Sequence, residues 1–229
     1  MRYALLLSLV GALACGERAE PGRDSERAAA EPAVSAATDL PVVLFLGTSL
    51  TAGLGLSESE AYPGLIQQKM DSAGLRFRVI NAGESGGTSA GGLRRIDWLL
   101  QQPVSVLVLE LGANDALRGQ DLDATRRDLQ EIMDRTRAAY PEVDIVIAGM
   151  QAPPNLGERY TTEFRSIFPE LARRNNAALV PFLLEGVAAV RELNQADGIH
   201  PTAAGQRRLA DNVWKVLEPV LIPVERRKG

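Results

Sequence analysis

Short apolar runs alternate with longer amphipathic stretches along most of this chain. The runs consist mostly of Val, Leu, Ile, Phe and Ala, which is typical of strands buried on both faces of a sheet. They cover 42–46, 77–81, 104–111, 143–148 and 178–181. Between them apolar residues recur every three or four positions, which predicts helices over 61–73, 91–102, 122–140, 160–175 and 203–217. Strands separated by helices indicate a parallel sheet with helices on both faces.

The first 39 positions lack this alternation. Arg2 precedes an apolar run over 4–13 that is too short to span a bilayer, which is typical of a secretory signal. The run ends in Ala-Leu-Ala-Cys at 12–15, which resembles the signal of a bacterial lipoprotein, whose cysteine is lipidated. An ordinary secretory signal that leaves Cys15 unmodified is the alternative. We expect export to the bacterial cell envelope with a lipid anchor at Cys15, on the periplasmic side of the outer membrane if the cell is Gram-negative.

The expected organisation is a lipoprotein-type signal peptide over 1–15, a tether over 16–39 and one folded domain over 40–229. The tether is rich in Ala, Glu, Arg, Ser and Pro without apolar periodicity, which predicts disorder. A length of 229 residues, with 45% hydrophobic and 24% charged residues, suits one domain with a tail.

Charge and cysteine content exclude some classes of protein. The net charge of −4 and the lack of a basic stripe argue against nucleic acid as a partner. The single cysteine excludes an internal disulfide framework. No apolar run reaches the roughly 18 residues of an ordinary membrane span.

The first predicted strand ends in Gly47-Thr48-Ser49. A strand that ends this way projects a hydroxyl from the carboxyl edge of a sheet, where open α/β folds bind their ligands. Gly47, which has no Cβ, lets the backbone turn sharply there. Turn chemistry alone explains such an ending equally well, so Ser49 becomes a candidate nucleophile only if a base lies near it.

His200, the only histidine, supplies a candidate base. Asp197 precedes it by three positions in Asp-Gly-Ile-His-Pro, just before the last predicted helix. This spacing can bring both side chains to one side of a turn. The carboxylate then holds one ring nitrogen while the other faces the nucleophile, as in a Ser-His-Asp triad. A lone histidine is more often a residue without such a role, but Asp197 and Ser49 together favour a hydrolase.

Two further loops follow predicted strands. Residues 81–92 are rich in Gly and Ser, so the backbone can approach a ligand and direct N–H groups towards it. A phosphate cradle is the rival interpretation, but no lysine follows at P-loop spacing. The loop over 110–115 contains Asn114, whose amide can donate to a developing oxyanion. Ordinary turn and N-cap chemistry also explains Asn114-Asp115.

In this order and spacing, Gly-Thr-Ser-Leu, the glycine-rich loop, Gly-Ala-Asn-Asp and Asp-Gly-Ile-His-Pro resemble the SGNH, or GDSL, hydrolases over about 42–217. The similarity is greatest to the bacterial acyl-CoA thioesterase I/lysophospholipase/arylesterase branch. The resemblance implies a flavodoxin-like three-layer α/β/α fold, with a five-stranded parallel sheet of order 2-1-3-4-5 and no metal or organic cofactor. It also implies that Ser49 is the nucleophile, that Asp197 and His200 complete the triad, and that Ser49, Gly86 and Asn114 supply the oxyanion hole.

Two positions depart from the family pattern. Thr48 replaces an aspartate beside the nucleophile, and Ala113 replaces a glycine beside the oxyanion asparagine. Neither change removes a catalytic group. The residues expected to line an acyl groove are Tyr62, Leu111, Pro153, Pro154 and Leu156. Residues of these types more often lie in a core or a loop.

The expected function is hydrolysis of carboxylic esters or thioesters through an acyl-enzyme, with a small-molecule or lipid ester as substrate. A carbohydrate O-acetyl esterase would share the catalytic residues and differ only in the groove. A non-catalytic envelope lipoprotein that uses the fold for binding is a further alternative.

Overall fold

The computed structural model of the chain describes residues 40–228. The predicted signal peptide with Cys15, and the predicted tether, lie outside these residues. Within them, none of the helices combines the length and the apolar character that crossing a membrane requires.

Five parallel strands form one sheet in the order 2-1-3-4-5. The strands are β1 (Val42–Gly47), β2 (Arg78–Gly83), β3 (Val106–Glu110), β4 (Asp144–Ala148) and β5 (Ala178–Val180). The residues of β1 and β3 are all buried, as expected for central strands covered on both faces. The predicted flavodoxin-like α/β fold is confirmed.

Seven α-helices accompany the sheet in the described part of the chain. They are α1 (Ser49–Ala52), α2 (Tyr62–Ser72), α3 (Ser89–Leu99), α4 (Ala113–Leu117), α5 (Leu122–Ala139), α6 (Glu158–Arg174) and α7 (Ala203–Lys228). Helix α2 packs against α7, whereas α3 packs against α5, which also contacts α6. Because parallel strands are joined by right-handed crossovers, these two groups cover opposite faces of the sheet.

Helix α7 is longer than the sequence pattern predicted. It continues beyond residue 217 through Pro219 and Pro223. A proline inside a helix removes a hydrogen bond and costs about 3 kcal/mol or more. The helical spacing nevertheless continues, because Leu217, Leu221 and Val224 are all buried. Burial of this apolar stripe offsets the cost of the prolines.

Helices α1 and α4 were not predicted, since each is too short to show an apolar period. Both begin within three residues of the end of a strand, α1 after β1 and α4 after β3. In the sheet Gly47 pairs with Gly83 on one side and with Glu110 on the other. The loops that follow β1, β2 and β3 therefore meet at one edge of the sheet.

Candidate active site

The turn after β1 presents Ser49 at this edge. Thr48 caps α1, and its hydroxyl accepts a hydrogen bond from the Leu50 N–H at 3.3 Å. Ser49 is the first residue of α1 and is 8% exposed. Gly53 ends the helix in the left-handed region, with φ of 70°. The short helix therefore holds the Ser49 hydroxyl in one place without covering it.

Gly47 serves a different purpose from the one predicted. Its φ is not positive, so the backbone conformation does not require glycine. A Cβ at Gly47 would lie 2.0 Å from Thr51 Oγ1 and 2.7 Å from Glu110 Oε2. Glycine is needed because these two side chains occupy the space beside it.

Asp197 and His200 lie in a turn that fixes them locally. Asp197 Oδ1 accepts hydrogen bonds from the backbone N–H groups of Ile199 at 2.9 Å and His200 at 3.0 Å. Its Oδ2 lies 2.6 Å from His200 Nδ1. The hydrogen bonds from the His200 side chain and from the two backbone N–H groups hold the pKa of Asp197 well below its usual range. Asp197 is therefore a carboxylate and can only accept from Nδ1.

The structure brings Ser49, His200 and Asp197 into one hydrogen-bonded line. His200 Nε2 lies 2.9 Å from Ser49 Oγ. Because Nδ1 must carry the proton shared with Asp197, Nε2 is left as the acceptor for the serine hydroxyl. This geometry can move the serine proton to the imidazole.

Two glutamines connect the segment around His200 to α1 and to the turn that follows it. Gln206, at the start of α7, donates from Nε2 to the Leu50 carbonyl at 3.1 Å and is 1% exposed. The Gln195 backbone N–H donates to the His200 carbonyl at 2.7 Å, and its side chain donates to the Leu54 carbonyl at 2.7 Å. Sequence reasoning missed both, because no local pattern marks a glutamine that bridges distant elements.

Gly86, in the loop after β2, and Asn114, in α4, line the same cleft as Ser49. Asn114 Nδ2 donates one proton to the Gly87 carbonyl at 2.9 Å, which orients the amide and leaves a second N–H. Gly86 has φ of 76°, a conformation that favours glycine. Its carbonyl accepts from the Arg118 guanidinium at 3.1 Å. The arrangement can offer N–H groups to an anionic oxygen near Ser49.

Asp115, next to Asn114, joins the two loops. It is 1% exposed and accepts a hydrogen bond from the Ser89 N–H at 3.0 Å. The Ser89 and Thr125 hydroxyls also donate to it. Asp115 thereby holds the start of α3, which follows the Gly86 loop, against α4, which carries Asn114.

Glu110, the last residue of β3, lies beneath the serine turn and is fully buried. It accepts hydrogen bonds from Thr48 and Thr51. Burial raises the pKa of Glu110 to about 7, although these hydrogen bonds oppose the rise. Sequence analysis assigned it no role; the available signal was a charged residue that ends an otherwise apolar strand.

An open cleft of about 440 Å³ surrounds Ser49 and His200. Its walls are largely apolar, and the large apolar side chains that line it are Leu50, Leu54, Leu117, Met150, Leu184 and Ile199. Three of these, Leu54, Leu117 and Ile199, are between 43% and 52% exposed at the rim. Within residues 40–228, no cluster of three His, Cys, Asp or Glu side chains could hold a metal ion.

The expected acyl-groove residues divide into two groups. Pro153 lines the cleft. Tyr62 and Leu111 are buried in the core, since their rings and branches fill the space between helices and sheet. Pro154 and Leu156 lie in a short 3₁₀ helix over 154–156 and do not line the cleft. The structure thus corrects the expectation for these four residues, whose apolar character did not distinguish core or loop from a cleft wall.

Comparison with known proteins places this geometry in a family. The profile of the GDSL-like lipase/acylhydrolase family matches residues 45–208. The esterase TesA of Pseudomonas aeruginosa is 42% identical over 180 residues, which are 78% of this chain and 89% of that protein. The thioesterase 1/protease 1/lysophospholipase L1 of Escherichia coli K12 is 40% identical over 181 residues, 78% of this chain and 84% of that protein.

A solved structure shows the same architecture. The crystal structure of the psychrotrophic esterase EstA from Pseudoalteromonas sp., inhibited by monoethylphosphonate, superimposes with a TM-score of 0.74 at 34% identity. The match covers 79% of this chain and 98% of that one. With the family profile, two relatives at 40% identity or above and this shared fold, the chain belongs to the GDSL-like lipase/acylhydrolase family and is an ester hydrolase of the SGNH type.

Proposed function

We propose that this protein is a serine esterase that hydrolyses carboxylic esters or thioesters through an acyl-enzyme on Ser49. The observation that carries the proposal is the line of hydrogen bonds from Ser49 through His200 to Asp197, with distances of 2.9 and 2.6 Å, at the floor of an apolar cleft. Nucleophile, base and orienting carboxylate are the three parts that such a reaction needs.

In the first step Ser49 Oγ attacks the acyl carbonyl carbon while its proton passes to His200 Nε2. Asp197 keeps the imidazole in the required tautomer and stabilises the imidazolium cation. The tetrahedral oxyanion accepts hydrogen bonds from the backbone N–H groups of Ser49 and Gly86 and from the side chain of Asn114.

The intermediate then collapses and expels the alcohol or thiol, which takes the proton from His200. The acyl group remains as an ester of Ser49. Water attacks this ester and gives its proton to His200, and the second collapse releases the carboxylic acid and restores the serine hydroxyl. None of these steps is a redox reaction or uses a cofactor.

The lining of the cleft favours a substrate whose acyl group is apolar. The lining is mostly apolar around Ser49, with Ser85, Asn114 and Gln151 among the polar side chains, which is a poorer match to the many hydroxyl groups of a sugar ring. The relatives named as an esterase and as a thioesterase and lysophospholipase fit an apolar acyl substrate.

A panel of substrates tests the proposal. With 4-nitrophenyl esters of increasing chain length, we expect kcat/KM to rise by about fourfold for each methylene that enters the cleft, the rate equivalent of burying one CH₂. Acyl-CoA thioesters and a lysophospholipid are assayed beside them, with an acetylated sugar as the comparison. The Ser49→Ala variant, purified in the same way, is the blank. Preference for the acetylated sugar would point to the carbohydrate esterase instead, and no hydrolysis of any substrate would contradict the proposal.

For localisation, we propose export and lipid anchoring at Cys15, on the strength of the apolar run and the Ala-Leu-Ala-Cys sequence at 12–15. Gly16 follows in place of an aspartate, which favours the outer membrane in a Gram-negative cell. Metabolic labelling with a fatty acid is expected to mark the wild type and not Cys15→Ser. Labelling that persists in the variant, or that is absent from the wild type, would leave a secreted enzyme without an anchor.

A further inference from the structure

We propose that Glu110 is a positioning residue for the nucleophile, whose ionised carboxylate holds the serine turn in its reactive geometry. The inference rests on the proposed function, because it assumes that Ser49 attacks the substrate. Its basis is a network of hydrogen bonds that connects β3 and α2 to the residues on either side of Ser49.

Glu110 contacts the turn at two points. The Thr48 N–H donates to Oε2 at 2.8 Å, and the Thr48 hydroxyl lies 3.0 Å from the same oxygen and 3.1 Å from Oε1. The Thr51 hydroxyl donates to Oε2 at 2.8 Å. Ser49 lies between these two threonines in sequence, so the carboxylate contacts the turn on both sides of Ser49. Gly47 leaves the space that this close approach requires.

When Glu110 is ionised, the donor and the acceptor of each hydroxyl hydrogen bond in the network are determined. Thr51 Oγ1 lies 2.8 Å from the Tyr62 hydroxyl, and since Thr51 donates to Glu110, Tyr62 must donate to Thr51. The Thr48 hydroxyl accepts from the Leu50 N–H and donates to Glu110. Every hydroxyl proton in the network therefore has an acceptor, and the carboxylate is the acceptor at the end of each path.

Protonation of Glu110 breaks this balance, because it adds a donor and removes an acceptor. If the new proton points to Thr51, the path reverses and the Tyr62 hydroxyl has no acceptor among residues 40–228. If the proton sits on Oε1 and points to the Thr48 hydroxyl, 3.1 Å away, Oε1 no longer accepts from that hydroxyl, which then has Oε2 alone as its acceptor. An unpaired buried polar group is unfavourable, so we expect a protonated Glu110 to hold the turn that carries Ser49 less firmly.

The surroundings of Glu110 explain why the pKa of its carboxyl group is higher than that of an exposed glutamate. Within residues 40–228 no lysine, arginine or histidine bonds to it. The groups that face it are Thr48, which caps α1, Thr51 in α1, and Tyr62 of α2, which lies beyond Thr51. Burial and the nearby Glu110 charge raise the pKa of Tyr62, so Tyr62 stays neutral. With the pKa of Glu110 at about 7, the carboxylate is present above that pH and is lost below it.

The test is Glu110→Gln, assayed between pH 5 and 9 with a soluble chromogenic ester. We expect kcat at pH 8 to fall by about 10- to 100-fold, the rate equivalent of one hydrogen bond to a charged group, with little change in KM. In the wild type, kcat should also fall as the pH decreases through the Glu110 pKa of about 7, where the carboxylate takes up its proton. This part of the pH dependence should be absent from Glu110→Gln.

Two further variants separate positioning from general stability. Thr136→Val removes another fully buried hydroxyl, on α5 and remote from the serine turn, and should lower the melting temperature without changing kcat or the pH profile. Thr51→Val, which removes one donor to Glu110, should lower kcat at unchanged KM and serves if Glu110→Gln does not fold.

The outcomes are distinguishable. A folded Glu110→Gln with wild-type kcat, or with the pH dependence of the wild type, would overturn the role of Glu110 while Ser49→Ala remains inactive. If Glu110→Gln does not fold, a wild-type kcat in Thr51→Val would overturn it. Activity that survives in Ser49→Ala would instead remove the proposed function itself.

Discussion

Ser49→Ala is expected to lower kcat for ester hydrolysis by roughly 10⁴–10⁶-fold, the scale that removal of a triad residue has in subtilisin. Among residues 40–228, the Ser49 hydroxyl is the only hydrogen-bond partner of His200 Nε2, at 2.9 Å, so its removal leaves no nucleophile to form the acyl-enzyme. His200→Ala should have an effect of the same size, since the serine then has no base.

A double variant tests whether Ser49 and His200 act in the same step. Ser49 and His200 act as one unit, so the double variant should be about as slow as either single variant. Circular dichroism and melting temperature check that each variant folds, which is expected because Ser49 and His200 anchor none of the core. A wild-type rate in either single variant, or multiplied losses in the double variant, would contradict a shared serine mechanism.

Asn114→Ala has the second largest expected effect, a loss of about 10²–10³-fold in kcat, the scale of one oxyanion donor. The Asn114 amide is oriented by its bond to the Gly87 carbonyl, so its second N–H is aligned before substrate arrives. Since the charge on oxygen develops only in the transition state, the loss should fall on kcat and leave KM nearly unchanged.

A control variant tests whether the loss of kcat is specific to Asn114 or follows from removing any asparagine side-chain amide. Asn155 is exposed in the short 3₁₀ helix and does not line the cleft, so Asn155→Ala should behave as the wild type in steady-state kinetics. A loss in Asn114→Ala confined to KM would mean that Asn114 binds substrate and does not stabilise the oxyanion.

Much of the site was predictable because its parts are local in sequence. A serine at the end of a buried strand and an acid three positions before the lone histidine are patterns of a few residues. The Asp197 turn is made by its own backbone N–H groups at 199 and 200, so spacing alone brings Asp197 and His200 together. Gly86 is different, since only the family resemblance singled it out within a loop of many glycines.

The sequence by itself determined the class of fold and the chemistry of the candidate site, because burial on both faces demands apolar strands and a hydrolase needs particular side chains. Only the tertiary structure decided which residues support that site. Glu110 meets Thr48 across 62 positions, and Gln206 meets Leu50 across 156. The same packing buried Tyr62 and left Leu54 at the rim of the cleft. Local patterns carry no record of such contacts, since they arise when the parallel strands bring distant loops to one edge.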